Sequence, residues 1–188
     1  MKTSKFIRQT LPLFATILLL SLPYQAWAAD KDYVLNTAST GGTYHPVGTA
    51  IATLTKVKLL PKQKFSLTAV NSAGSGANVQ ALGAGTADFA ILQGLYGSYA
   101  ATGTGPISEP QKNLRSVTML WQNVEQFLVA NEKVKSGTVS DLMSLRGQSA
   151  GMGKQNSGTL GSNKVLLSGL GIDIGSDYDL VYAGYGPT

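Results

Sequence analysis

The sequence predicts an α/β fold in two lobes. Three observations carry that prediction: β-prone runs alternate with apolar residues at helical spacing, the strand-to-helix junctions are rich in Gly, Ser and Thr, and no cysteine is present to staple a smaller core. Connections of this kind keep successive strands parallel, with right-handed crossovers and with ligands beyond the carboxyl ends of the strands.

The first 28 residues are read as an export signal rather than as part of the fold. Lys2, Lys5 and Arg8 form a positive leader, residues 11–22 an apolar run, and Ala26-Trp27-Ala28 a small-residue cleavage signal, with cleavage expected after Ala28. The apolar run is interrupted by Pro12 and Pro23 and falls short of the ~20 residues that span a bilayer. Its removal takes three of the fifteen basic residues and none of the ten acidic ones, lowering the formal charge from +5 to +2. Lys56, Lys58, Lys62 and Lys64 are the only basic cluster and fall where a helix ends, the usual place for cations that complement the helix dipole. Nucleic acid is therefore not an expected partner, since that would need a broader basic stripe with interleaved aromatics. A periplasmic protein that depends on its apolar core is the expected class.

Taken in order, residues 33–37 read as the first strand and residues 44–59 as the first helix, with Pro46 near its start and Pro61 past its end. Val47, Ile51 and Leu54 are the apolar positions expected to face the core. Residues 65–70 alternate in the period of a strand, a short helix carries Val79 and Leu82, and residues 88–93 read as a buried strand. A short helix is expected at residues 95–100. Two apolar stretches follow, at 117–121 and 127–130, and residues 122–126 between them are read as the crossover to the second lobe. The first lobe then occupies residues 29–122, and the hinge and start of the second lobe residues 123–188. Within the latter, residues 140–147 resemble a capped short helix, 148–153 a strand, 156–171 a helix closed by Gly171, and 179–183 one more strand. A further helix ought to begin where the chain stops, so truncation is expected.

The junctions hold the candidate site. Ser39-Thr40-Gly41-Gly42-Thr43-Tyr44 opens the first helix, and similar openings recur at Ser72-Ala73-Gly74-Ser75-Gly76-Ala77-Asn78 and Asn156-Ser157-Gly158-Thr159. Helix starts present unpaired N–H groups and a positive dipole end, and glycines let a ligand approach closely, so a small anion such as a carboxylate suits all three. Thr43, Ser75, Asn78, Ser157 and Thr159 are the expected side-chain donors, helped by the amides of Gly42, Gly76 and Gly158. Thr40 and Ser72 join them as hydroxyls of the same turns. Tyr44 reads equally as a cleft wall and as a core residue. Gln93, at the end of the third strand, reads equally as a solute contact and as a satisfied strand-end amide. His45 is the only histidine and has no ligand-type neighbour at metal spacing, so neither metal nor cofactor is expected.

The residues Thr40-Gly41-Gly42-Thr43-Tyr44-His45-Pro46-Val47-Gly48, the turn Ser72-x-Gly74-Ser75-x-x-Asn78, the exit Gly85-x-Ala87-Asp88-x-Ala90-Ile91-x-Gln93, and Ser157-Gly158-Thr159 together resemble the TAXI-type substrate-binding proteins of tripartite ATP-independent periplasmic (TRAP) transporters. That resemblance covers essentially the whole mature chain. It implies a type II periplasmic-binding-protein fold, in which two α/β lobes joined by a hinge close on a small acidic or amide-bearing solute such as glutamate, glutamine or 2-oxoglutarate. A membrane-embedded TRAP permease is the implied partner. It also implies a larger second lobe that returns to the first, a portion this sequence lacks. The alternative is the periplasmic sensing domain of a signalling receptor. A serine hydrolase is the remaining rival, because Gly147-Gln148-Ser149-Ala150-Gly151 matches the G-x-S-x-G elbow. Ser149 is expected inside a strand, however, and His45 precedes it in the chain, so the triad does not assemble.

Overall fold

A computed structural model describes residues 30–184, a mixed α/β structure with two parallel sheets. The export signal read at residues 1–28, like residues 185–188, lies outside the described residues. Strand β1 (Lys31–Asn36) is central to the first sheet, between β2 (Phe65–Val70) and β3 (Phe89–Ala90), with Lys31 opposite Phe65 and Leu35 opposite Phe89. Helices α1 (Tyr44–Lys58) and α2 (Leu60–Gln63) connect β1 to β2, α3 (Ser75–Gly83) connects β2 to β3, and α4 (Gly94–Thr102) follows β3. The second sheet pairs β4 (Ser149–Ala150) with β5 (Asp179–Leu180), joined through α5 (Gly158–Ser168) and α6 (Ile174–Asp177). Residues 103–130 between the two sheets form no helix or strand.

The predicted alternation is observed, but with two unexpected short helices, α2, which takes in Pro61, and α6, and with the strands expected at 148–153 and 179–183 pairing only at Ser149–Ala150 and Asp179–Leu180. The third strand was expected over residues 88–93 but pairs only at Phe89 and Ala90. Asp88 turns its carboxylate onto the Val34 N–H at 2.9 Å, and Gln93 has already become the cap of α4. Helix α1 buries Gly48, Ala52 and Thr55, whereas Leu54 is 59% exposed, contrary to its expected place in the core. The reason is a hydrogen bond: the Thr55 hydroxyl accepts from the Leu67 N–H at 2.9 Å, satisfying a donor on edge strand β2 and fixing which face of α1 turns inward. The helix expected at 140–147 is a 3₁₀ turn over Val139–Leu145. Its Asp141 carboxylate reaches back to the N–H groups of Lys135, Ser136 and Gly137.

Two apolar clusters carry the two sheets. Leu35, Ala52, Leu67 and Ile91 form the first, and Tyr33, Phe65 and Phe89, one from each strand, pack their rings at 5.1–6.2 Å against it. Leu142, Met152, Leu160, Leu167, Ile172, Ile174 and Tyr178 form the second. Each fully buried aliphatic side chain contributes about 1.5–3 kcal/mol. Phe127 and Val129 lean on the second cluster while the intervening Leu128 is 95% exposed, so the apolar stretch read at 127–130 splits between two directions.

Gly48 sits so close to Thr37 that an added Cβ would overlap the Thr37 methyl group. Gly48→Ala is therefore expected to destabilise the protein by about 1–3 kcal/mol, read from urea unfolding; an unchanged midpoint would show that α1 can back away from β1. A second expectation concerns acid. The Ser136 hydroxyl, followed by the Ser136, Lys135 and Gly137 amides, holds the Asp141 carboxyl well below the usual carboxylate range. A folded-state pKa below the unfolded one gives stability that is complete above the unfolded value and lost as pH falls toward the folded value. Asp141→Asn should accordingly lower the melting temperature at pH 7, and the gap from wild type should narrow below about pH 4. A gap that stays constant down to pH 2 would contradict this.

Candidate functional site

The carboxyl ends of β1 and β2, the Gln93 end of α4, and the start of α5 border one cleft of about 1030 Å³. Gly42, Thr43 and Tyr44 from the first opening reach it, Ser75 from the second, and Ser157, Gly158 and Thr159 from the third. Gln93 lies between the second and third openings. Three turns far apart in sequence thus share one depression, because each ends a parallel strand or begins the helix that follows it.

Four of the sequence-predicted residues do not border the cleft. Thr40 is exposed on the outside of its turn. Asn78 is fully buried, and its Nδ2 donates to the Thr37 carbonyl at 2.7 Å and to the Ile91 carbonyl at 2.9 Å. It therefore ties the end of β1 to the chain leaving β3. Ser72 donates to Asn78 Oδ1 at 2.7 Å and accepts from the Gly74 N–H, so its hydroxyl is occupied in shaping the turn. Gly76 is packed beneath the Asn156 carbonyl, where an added Cβ would come within 2.8 Å of that oxygen. Nor is the Gly42 amide open to a solute, because it donates to the Ser39 carbonyl at 3.0 Å.

Other predicted residues line the cleft but spend their polar atoms on the fold. The Ser75 hydroxyl accepts from the Gln93 N–H at 3.0 Å, and Ser75 is 1% exposed. Ser157 is the side-chain cap of α5, accepting from the Leu160 N–H at 3.1 Å. Away from the cleft, His45 Nδ1 lies 3.1 Å from the Thr37 hydroxyl, which itself donates to the Val70 carbonyl, so the imidazole is the donor in that contact. Ser149 is in β4 opposite Asp179 rather than on a strand-to-helix turn. Tyr44 faces Trp121 edge-on, with ring centroids 5.7 Å apart, and both rings border the cleft.

The two units meet directly beside this cleft, through helices α3 and α4 on one side and the start of α5 on the other. The Ala77 N–H, one of the free donors at the start of α3, is taken by the Asn156 carbonyl at 3.1 Å. Asn156 has φ 60°, and this left-handed backbone is what turns its carbonyl toward α3. An added Cβ on Gly158 would lie 2.5 Å from Gln93 Oε1 and 2.7 Å from Ser75 Oγ, and one on Gly161 would lie 2.5 Å from the Tyr96 hydroxyl. Glycine at 76, 158 and 161 is what allows this contact. Sequence reasoning read two of these glycines as ligand approaches, whereas their neighbours in the structure are protein atoms.

Several cleft residues were missed. Trp121, Glu125, Phe127, Lys133, Tyr178 and Gln148 all line it. None belongs to a Gly/Ser turn, and residues 121–127 have no helix or strand periodicity that would have indicated a facing direction. Lys133 and Lys154 are its cations, both beyond residue 130 and so on the side of the second sheet, while Glu125 is an acid next to Gln93.

The stretch that matches a known family, residues 35–188, takes in every residue that lines the cleft, and the match is to the NMT1-like family. The chain belongs to that family. It is of the periplasmic-binding type, related to the solute binders of transporters, and its parallel α/β sheets agree with that fold. The family role is that of a substrate-binding receptor, and a cleft between two parallel α/β units is the feature such a role uses.

Gly158→Val would push the Ser75 and Gln93 side chains away from α5. It is expected to raise proteolytic sensitivity between residues 103 and 130 while leaving far-UV circular dichroism unchanged. Wild-type protease resistance in that variant would mean the two units are not held together at this point.

Proposed function

We propose that this chain is an exported solute-binding receptor of the TAXI type, capturing a small acidic metabolite of the glutamate, glutamine or 2-oxoglutarate kind for a membrane-embedded TRAP permease. The observation that carries the reading is the convergence of three polar helix openings on one cleft. Helix starts favour carboxylates through their dipoles and free amides, and Lys133 and Lys154 add positive charge at the same cleft. A solute touching both the Gly42–Tyr44 turn and the start of α5 favours the shut arrangement of the two units, since only there does it make both sets of contacts. Closure by rotation about residues 103–130 would then present the permease with a shape that the open receptor lacks. The chemistry invoked is binding alone, with no cofactor.

The test is a thermal-shift titration of the purified full chain with L-glutamate, L-glutamine and 2-oxoglutarate, with mass spectrometry of any co-purified solute. An acid present at a hundred times its Kd should stabilise the fold by about 2.7 kcal/mol. Lys154→Ala should weaken that stabilisation without changing the unliganded melting temperature. No shift with any acid, together with a neutral or cationic co-purified solute, would rule the reading out.

A further inference from the structure

Glu125 is a half-buried carboxylate on the cleft wall. One of its oxygens accepts from Gln93 Nε2 at 3.2 Å and from Asn123 Nδ2 at 3.1 Å. Among the described residues its second oxygen takes no hydrogen bond and no Lys, Arg or His forms an ion pair with it. Two neutral amides orient this charge, and no cation among the described residues is paired with it.

Gln93 adds an independent observation. It is 8% exposed, its backbone N–H is held by Ser75 and its Nε2 by Glu125, yet its Oε1 is buried with no donor. The orientation of the amide is fixed by Glu125, because reversing it would set two oxygens against each other. The oxygen therefore stays beside Gly158 and the Ser75 hydroxyl, at the junction of the two units. A buried acceptor left without a donor is destabilising until one arrives. The cleft wall thus carries a carboxylate with one oxygen unbonded, and behind it a buried amide carbonyl with no donor.

We infer that Glu125, with Gln93 behind it, is the subsite for a protonated amine on the solute, so that the bound metabolite is an amino acid rather than an oxo or purely dicarboxylic acid. The inference rests on the solute-binding reading above and narrows it. A dianion without an ammonium group would place its charge in the same cleft as the Glu125 carboxylate. An α-amino acid instead sets its ammonium on the Glu125 carboxylate, which Gln93 holds in place, and leaves its carboxylate for the helix openings and lysines. Glu125 acts here by charge and Gln93 by positioning it.

Calorimetry on the purified full chain with three probes separates the possibilities: L-glutamate, 2-oxoglutarate, which replaces the amine by a carbonyl, and putrescine, a diamine without a carboxylate. The expected result is L-glutamate binding at least about tenfold more tightly than 2-oxoglutarate, with Glu125→Gln bringing the ratio near one and Glu125→Asp recovering part of it. The unliganded melting temperature of Glu125→Gln should match wild type, which separates recognition from support of the fold. Equal or tighter binding of 2-oxoglutarate, or a ratio untouched by Glu125→Gln, overturns the inference while leaving the acidic-solute reading standing. Binding of putrescine alone, lost in Glu125→Gln, keeps the amine subsite but overturns the acidic-solute reading and the amino-acid assignment. Binding of none of the three overturns both.

Discussion

The structure depends on one buried side chain at the carboxyl edge of the first sheet. Asn78 stands on α3, and its amide holds the carbonyls of Thr37 and Ile91 while its own carbonyl takes the Ser72 hydroxyl. Beyond the last ladder hydrogen bond, parallel strands end in carbonyls that need partners. Had they been left to water, the ends of β1 and β3 could splay and the cleft would have no fixed rim. Asn78 supplies both donors from a position 0% exposed, so the rim is closed without solvent. Thr37, equally buried, reinforces it by sending both its N–H and its hydroxyl to the Val70 carbonyl.

That rim sets what the neighbouring residues can do. With the end of β1 fixed, α1 must pass close enough to Thr37 that only glycine fits at position 48, and α3 starts where its first turn meets the second unit. Part of the positive helix start that sequence logic assigns to a solute is then spent on Asn156, because a protein carbonyl reaches Ala77 first. Helix starts are anion sites by default only while no internal acceptor takes their donors.

The cleft as a whole is electrostatically divided. The cations Lys133 and Lys154 come from the second unit, whereas Glu125 meets Gln93 at the edge of the first. Aromatic rings of Tyr44, Trp121 and Phe127 lie among these polar groups. Such a lining keeps water from screening the charges fully, which is the condition under which a few well-placed ionic groups discriminate between solutes.

Sequence alone determined the alternation of strands and helices, the limits of β2, the start of α1 at Tyr44 and the site of the three polar openings, because these follow from local periodicity, turn residues and capping, each felt within a few positions of the chain. It also gave the resemblance to solute binders, which the family match over residues 35–188 supports at the level of periplasmic-binding-type receptors. Only the tertiary structure decided which polar residues face the cleft and which fasten the fold. Asn78 and Ser72 looked like ligand groups because an amide and a hydroxyl read the same in sequence whether their partner is a solute or a carbonyl some forty residues away. Glu125 and Trp121 went unread for the opposite reason: they lie in a stretch without periodicity, and only the packing of two sheets around it gives such a stretch an inside and an outside.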